Sequence, residues 1–180
     1  MENLISMRNV SKNDILELLE LARQIETKEI KPDLSGHLGA LLFFEPSTRT
    51  HFSFDTAIKK LGGQSFSMSG TSSSSVKKGE TLSDTLMTIS QYADFIVMRH
   101  KVEGAARFAS ETVDVPIINA GDGTNQHPTQ AMLDLYSIHK TQGTLDNLTI
   151  AMVGDLRLGR TVHSLAQALT EFNPTFYFAS

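Results

Sequence analysis

The sequence contains no cysteine. Disulfides and thiolate metal sites are therefore excluded, and the redox argument favours a cytoplasmic address. No apolar run approaches the ~20 residues that a membrane-spanning helix requires. The opening, MENLISMRNVSKND, has no basic stretch followed by an apolar core, so neither a secretory signal nor a membrane partner is expected. Positive charge is not in excess either. A net charge of −4 argues against general nucleic-acid binding, so any anion must be held by a local cluster. The six histidines lack H-x-H or H-E-x-x-H spacing, which leaves no metal site to expect. There is no phosphate loop of the G-x-x-x-x-G-K-S/T type and no G-x-G-x-x-G, and the chain has no internal repeats.

What is present is the mix of an ordinary globular protein, with 20% charged and 40% hydrophobic residues over 180 positions. That length suffices for one sound core, or for one domain and part of another. Ser11 and Asp14 mark a helix start, followed by an apolar face of Ile15, Leu18, Leu19, Ala22 and Ile25. Strands are expected at 37–44, 64–68, 94–99, 115–121, 148–155 and from 175 onward. Helices are expected after Ser47 as far as Gly62, and at about 81–92, 103–111, 127–143 and 159–172. The serine- and glycine-rich stretch 69–79 reads as a loop. Strands alternating with helices define an α/β protein with a mostly parallel sheet flanked by helices. The expected division is a first domain over 1–126, a linking helix over 127–147 and the start of a second α/β domain over 148–180, cut short.

Polar clusters fall at the carboxyl ends of the strands, where ligands bind in such sheets. Ser47, Thr48, Arg49 and Thr50 lie where the first strand hands over to a helix. Unpaired N–H groups, hydroxyls and a guanidinium fork there suit a phosphate, although a simple N-cap explains the Ser and Thr equally well. Lys77 and Lys78 end the serine-rich loop, either as a solvated pair or as part of a lid that carries Ser74 and Lys78 onto an anion. Arg99 ends an apolar strand. His127 and Gln130 share one side of a helix's first turn, where a histidine could cap, pack or polarise a carbonyl oxygen. VGDLRLGRT, residues 153–161, is a weak dinucleotide candidate, and its Arg160 could instead bind a carboxylate.

FFEPSTRT, KKGET, VMRH, NAGDGTNQHPTQ and MVGDLRLGRTVHSLAQAL together resemble the catalytic chains of the aspartate carbamoyltransferase family, in the family's order. The resemblance implies transfer of a carbamoyl group from carbamoyl phosphate to the amine of L-aspartate, in pyrimidine biosynthesis, without a cofactor. It assigns Ser47, Thr48, Arg49, Thr50 and Arg99 to carbamoyl phosphate. Thr50, Arg99 and His127 would meet its carbonyl oxygen and Gln130 its amino group. Ser74 and Lys78 would come from the neighbouring subunit of a homotrimer, with Lys78 also facing aspartate. Arg160 would take an aspartate carboxylate, and Glu45 would pair between domains, with Arg160 as a candidate partner. His127 is expected to be a neutral donor, because Arg99 disfavours its protonation. A regulatory chain is a further family partner.

Two departures stand out. His51 occupies a position where the family usually has a second arginine, so local charge is missing or pH-dependent. The sequence also stops within the second domain, from which an inactive chain is expected. Two alternatives follow: a catalytically silent module that binds carbamoyl phosphate or phosphate and assembles with other chains, and an ornithine carbamoyltransferase, which KKGET and GDLRLGRTVHSL disfavour.

Overall fold

The apolar run after His37 alternates its side chains between two covered faces, which is how a central parallel strand must be built. In the computed structural model, which describes residues 2–69 and 79–180, this run is β1 (Leu38–Phe43). It is followed by β2 (Gln64–Ser69), β3 (Phe95–His100) and β4 (Ile117–Asp122), and the four form one parallel sheet in the order β2-β1-β3-β4. Ala40 and Leu42 of β1 face one way, packing with Ile96, Met98 and Ile117 against α3 (Leu82–Ile89) and α4 (Ala105–Thr112). Leu41 and Phe43 face the other way, with Val97 and Ala120, against Ile58 and Phe54 of α2 (Thr48–Lys60). Gly39 is required at the start of β1, because a Cβ there would lie 2.5 Å from the Phe95 ring and 3.0 Å from Ile58 Cδ1.

The sheet has one irregularity of consequence. Met98 pairs with Asn119 but His100 pairs with Asp122, so β4 carries one more residue than β3 opposite Arg99. Such a bulge re-aims the side chains around it. Gly121, with φ +116°, absorbs the distortion.

Two further helices pack against each other. Helix α1 (Lys12–Glu26) opens with the expected capping box between Ser11 and Asp14. Ile15 and Leu19 are buried, whereas Ile25, at the margin of the apolar stripe, stays exposed. Helix α5 runs Pro128–Gln142, with proline in its first turn, and stops at left-handed Gly143. A second, two-stranded parallel sheet pairs β5 (Thr149–Val153) with β6 (Thr175–Ala179), linked by α6 (Arg160–Leu169) and a short 3-10 turn, Thr170–Phe172. A single apolar cluster joins α1, α5 and this second unit through Ile15, Leu19, Leu135, Met152, Leu169 and Phe172. Arg160 is thereby held over the end of the first sheet. No helix of the described residues is long and apolar enough to cross a membrane.

Some boundaries differ from the sequence expectation. The helix expected at about 81–92 ends at Ile89. The one expected from 103 begins at Ala105, because Gly104 is left-handed. The linking helix stops at Gln142 rather than 147. Leu42 is fully buried at the centre of the sheet. Leu42→Ala is expected to cost about 2–5 kcal/mol through lost transfer energy and a residual cavity, read as a lower urea midpoint at unchanged slope.

Candidate functional site

The chain leaves β1 through α2 towards β2, and leaves β3 through α4 towards β4 on the other side. The two connections diverge, opening a crevice at the carboxyl ends of β1 and β3, the switch point at which open α/β sheets bind ligands. A cleft of about 650 Å³ lies there. Ser47, Arg49 and Thr50 line it from α2, Arg99 from β3, His127 and Gln130 from the start of α5, and Arg160 and Thr161 from α6. Four segments far apart in sequence thus meet around one space.

Ser47 occupies the N-cap position of α2, yet its side chain makes no cap hydrogen bond. Its hydroxyl instead donates to Thr50 Oγ1 at 3.0 Å. The first-turn N–H groups therefore point at the cleft with the positive end of the helix dipole behind them, and Arg49 stands exposed beside them. Ser47 thus sits at the N-cap without capping through its side chain. Thr48 is exposed and does not line the cleft, so what it can offer there is its backbone N–H. His51, one residue further on, leans the edge of its ring on Phe43, and its Nε2 lies 2.8 Å from Ser67 Oγ of β2.

Arg99 is 8% exposed. Its Nη1 donates to the Ala120 carbonyl at 3.3 Å and its Nη2 to Glu45 Oε1 at 2.8 Å, while buried Nε has no partner among the described residues. Arg160 Nη1 donates to the Gly123 carbonyl at 2.5 Å and to Glu45 Oε2 at 3.3 Å. Glu45 thus pairs with Arg160, as the sequence resemblance implies, and with Arg99 as well. Burial pushes its carboxyl up, but the Arg160 hydrogen bond and the charges of both arginines outweigh this and hold it below the usual glutamate value. Gly121 makes room for the pair, since a Cβ there would come within 3.1 Å of Arg99 Nη1 and 3.2 Å of Arg160 Cζ.

His127 is the N-cap residue of α5. Burial, then the charges of Arg160 and Arg99, lower its pKa to about 4, so the imidazole is neutral at physiological pH. The expected neutrality holds, but desolvation outranks the neighbouring arginine as its cause. The ring Nδ1 lies 3.4 Å from Thr129 Oγ1, and the backbone that carries it is held by further polar contacts. Ser164 Oγ of α6 accepts from the His127 backbone N–H at 2.8 Å and donates to Gln126 Oε1 at 3.2 Å. Asp122 ties the turn together, accepting from Asn119, Gln126, Asn125 and Gly104. Gln130 Nε2 donates to Asp134 Oδ1 at 2.9 Å.

Of the residues expected from the sequence, Ser47, Arg49, Thr50, Arg99, His127, Gln130 and Arg160 converge on the cleft, with Glu45 bridging two of its arginines. Ser74, Lys77 and Lys78 lie outside the described residues. Sequence reasoning passed over Gly121, Asp122, Gln126, Ser164 and Thr161. The turn-rich GDGTNQ would have flagged the first three, whereas Ser164 and Thr161 carry no local signal. Among the described residues no group of three His, Asp or Glu is disposed to hold a metal ion.

This parallel α/β scaffold, with cationic and hydrogen-bonding groups gathered at its switch point, is that of a phosphate-compound-binding domain. Residues 2–140 match the model of the aspartate/ornithine carbamoyltransferase carbamoyl-P binding domain, and the chain belongs to that family. It is 58% identical over 179 residues to the aspartate carbamoyltransferase catalytic subunit of Parabacteroides distasonis, covering 99% of this chain and 58% of that protein. Against the catalytic subunit of Methanocaldococcus jannaschii it is 56% identical over 185 aligned positions, covering 100% of this chain and 60% of the relative. A crystal structure of the M. jannaschii subunit superposes with TM-score 0.91 at 54% identity, over 99% of this chain and 60% of that one. The Trypanosoma cruzi enzyme in complex with carbamoyl phosphate and aspartate superposes with TM-score 0.87 at 41% identity, over 98% and 59%. The chain thus spans a little under two thirds of the length of these relatives.

The depressed pKa of His127 has a pH signature. Between its ordinary 6.5 and about 4 the unfolded chain binds a proton that the folded one refuses. Its contribution to stability is therefore whole above pH 6.5, erodes below that, and is gone once the pH falls through about 4. In a carbon–proton NMR titration the His127 ring is expected to show a midpoint near 4; a midpoint near 6.5 would mean that the ring is open to water.

Proposed function

We propose that the cleft binds carbamoyl phosphate and that the protein transfers its carbamoyl group to the amine of L-aspartate, giving N-carbamoyl-L-aspartate and phosphate, a step of pyrimidine biosynthesis. The observation that carries the reading is the convergence of Arg99, His127, Gln130, Arg160 and the uncapped start of α2 on one cleft. Ser47, Thr48 through its N–H, Arg49 and the α2 dipole take the phosphate. Thr50, Arg99 and neutral His127 take the carbonyl oxygen, and Gln130 takes the amino group. Arg160 takes a carboxylate of aspartate on the far side of the cleft.

This residue set suits the chemistry. The carbonyl carbon already carries a good leaving group, so no enzyme nucleophile is needed. The aspartate amine attacks that carbon and a C–N bond forms. The carbonyl oxygen gains negative charge beside Arg99, His127 and Thr50, and the C–O bond to phosphate then breaks with the charge passing to the phosphate oxygens. Pre-aligned donors at the developing oxyanion and close approach of two anionic reactants supply the rate enhancement. The proton lost by the amine has the departing phosphate as its nearest base.

On this reading the first sheet, with α2 to α4, is the carbamoyl phosphate domain, α5 links it to the second unit, and the second unit carries the aspartate side. On the same reading, Ser74 and Lys78 of a neighbouring subunit complete the cleft of a cytoplasmic homotrimer, with Lys78 also serving aspartate; the resemblance to the family supports this. Identity of more than half to aspartate-specific subunits favours aspartate over ornithine as acceptor.

Titration calorimetry of the 180-residue chain with carbamoyl phosphate, beside Arg49→Ala, tests the binding half. Loss of the charge-assisted bonds is expected to weaken binding by about 10- to 100-fold. Equal binding by both proteins would remove the phosphate from α2. Colorimetric detection of N-carbamoyl-L-aspartate tests transfer. Binding without product would identify the chain on its own as a silent carbamoyl phosphate module.

A further inference from the structure

Gln130 lines the cleft from the first turn of α5, and its side chain has two chemically opposite ends. The –NH2 end is turned to the helix, since one of its two N–H bonds donates to Asp134 Oδ1 at 2.9 Å, one helical turn further on. A carboxylate accepts hydrogen bonds and donates none. The pairing is therefore possible in one orientation of the amide only, and it leaves Oε1 as the end available to the cleft.

Asp134 is an unusual residue to keep for structural reasons. It is half-buried, and among the described residues it belongs to no ion pair. Burial pushes its carboxyl up, opposed by the Gln130 hydrogen bond. A half-buried carboxylate facing a neutral amide costs more than an apolar residue would at the same place, and the interior of α5 does not need one.

The rest of the cleft explains why the orientation matters. Arg49, Arg99 and Arg160 are obligate donors, and the Ser47 hydroxyl donates to Thr50 Oγ1, which leaves the Thr50 proton free to donate to a ligand oxygen. The Glu45 carboxylate is shared between two guanidiniums. Such a lining suits a phosphate and a carbonyl oxygen. The amino group of a carbamoyl compound needs the opposite, an acceptor, and Gln130 Oε1 supplies it.

We propose that Asp134 is a positioning residue for substrate selection. It locks the Gln130 amide with its oxygen towards the cleft, so that the site takes a carbamoyl group, whose –NH2 donates, over an acyl group of the same shape, whose methyl cannot. The inference rests on the reading of this cleft as a carbamoyl phosphate site.

Phosphonoacetamide and acetonylphosphonate are stable phosphonates that differ as –NH2 differs from –CH3, and inorganic phosphate probes the anion seat alone. Calorimetric titration of all three into the 180-residue chain, into Asp134→Ala and into Asp134→Asn tests the proposal. The preference for the amide over the ketone is expected to shrink by about 5- to 10-fold in Asp134→Ala. In Asp134→Asn, which keeps one acceptor oxygen, it should shrink less. Phosphate affinity should stay unchanged, which also shows that each variant is folded; should the alanine protein misfold, the isosteric asparagine variant decides. In a Gln130→Ala background, Asp134→Ala should add nothing.

A preference that survives both substitutions, or an equal loss for the two phosphonates, would overturn the role of Asp134 while leaving the site reading intact. Failure of the unsubstituted chain to bind either phosphonate would instead overturn the site reading, and this inference with it.

Discussion

Two guanidinium groups share the floor of one crevice, and the Glu45 carboxylate between them makes that arrangement tenable. Arg99 loses solvation by burial and is repelled by Arg160, both of which act against its charge. Arginine does not shed its proton in a protein, so the strain must be relieved by a counter-ion. Glu45 reaches Arg99 at 2.8 Å and Arg160 at 3.3 Å. Buried ion pairs of this kind return little net stability once desolvation is counted. Their presence is better understood as the means of keeping two cations ready for anionic ligands than as a contribution to the fold.

The scaffold around that trio is specialised in its backbone as much as in its side chains. The extra residue in β4 opposite Arg99 turns the strand end, and Gly121 at that bend clears the space where the two guanidiniums lie. Asp122, next in sequence, spends its carboxylate on the turn and on Gly104 of the neighbouring loop. Ser164 then joins α6 to the N–H of His127. Strand bulge, turn and α6 thus converge on the backbone of one residue, His127, whose ring owes its neutrality first to burial.

The strands and helices were legible because each carries its period in a short window. LGALLF alternates between two covered faces, and Ser11 with Asp14 forms the box that their spacing implies. The parallel sheet followed from alternation of the two element types. The order β2-β1-β3-β4 and the bulge did not, since neither leaves a mark on local composition. The cleft was partly legible: Arg99, His127 and Arg160 sit at the ends or starts of elements, where a sheet of this type gathers ligand contacts. Ser164 and Gly121 were not, because a serine inside an amphipathic helix and a glycine in a turn look alike whether or not a guanidinium or a histidine leans on them. For Ser47 the residue type pointed equally to a cap and to an anion seat, and the absence of a cap bond from its hydroxyl was not legible from the residue type.

The helix starts divide into two kinds. Helices α1 and α3 open with reciprocal capping boxes, whereas α2, α4, α5 and α6 have no side-chain cap bond, and three of those four, α2, α5 and α6, begin at the cleft. A good cap is worth ~1 kcal/mol, so this molecule forgoes stability at three helix starts that border the cleft. For anyone engineering a more heat-resistant version, the obvious surface improvements at those three starts carry a consequence: a carboxylate or hydroxyl installed to finish the helix would change the charge and hydrogen bonding of the cleft itself.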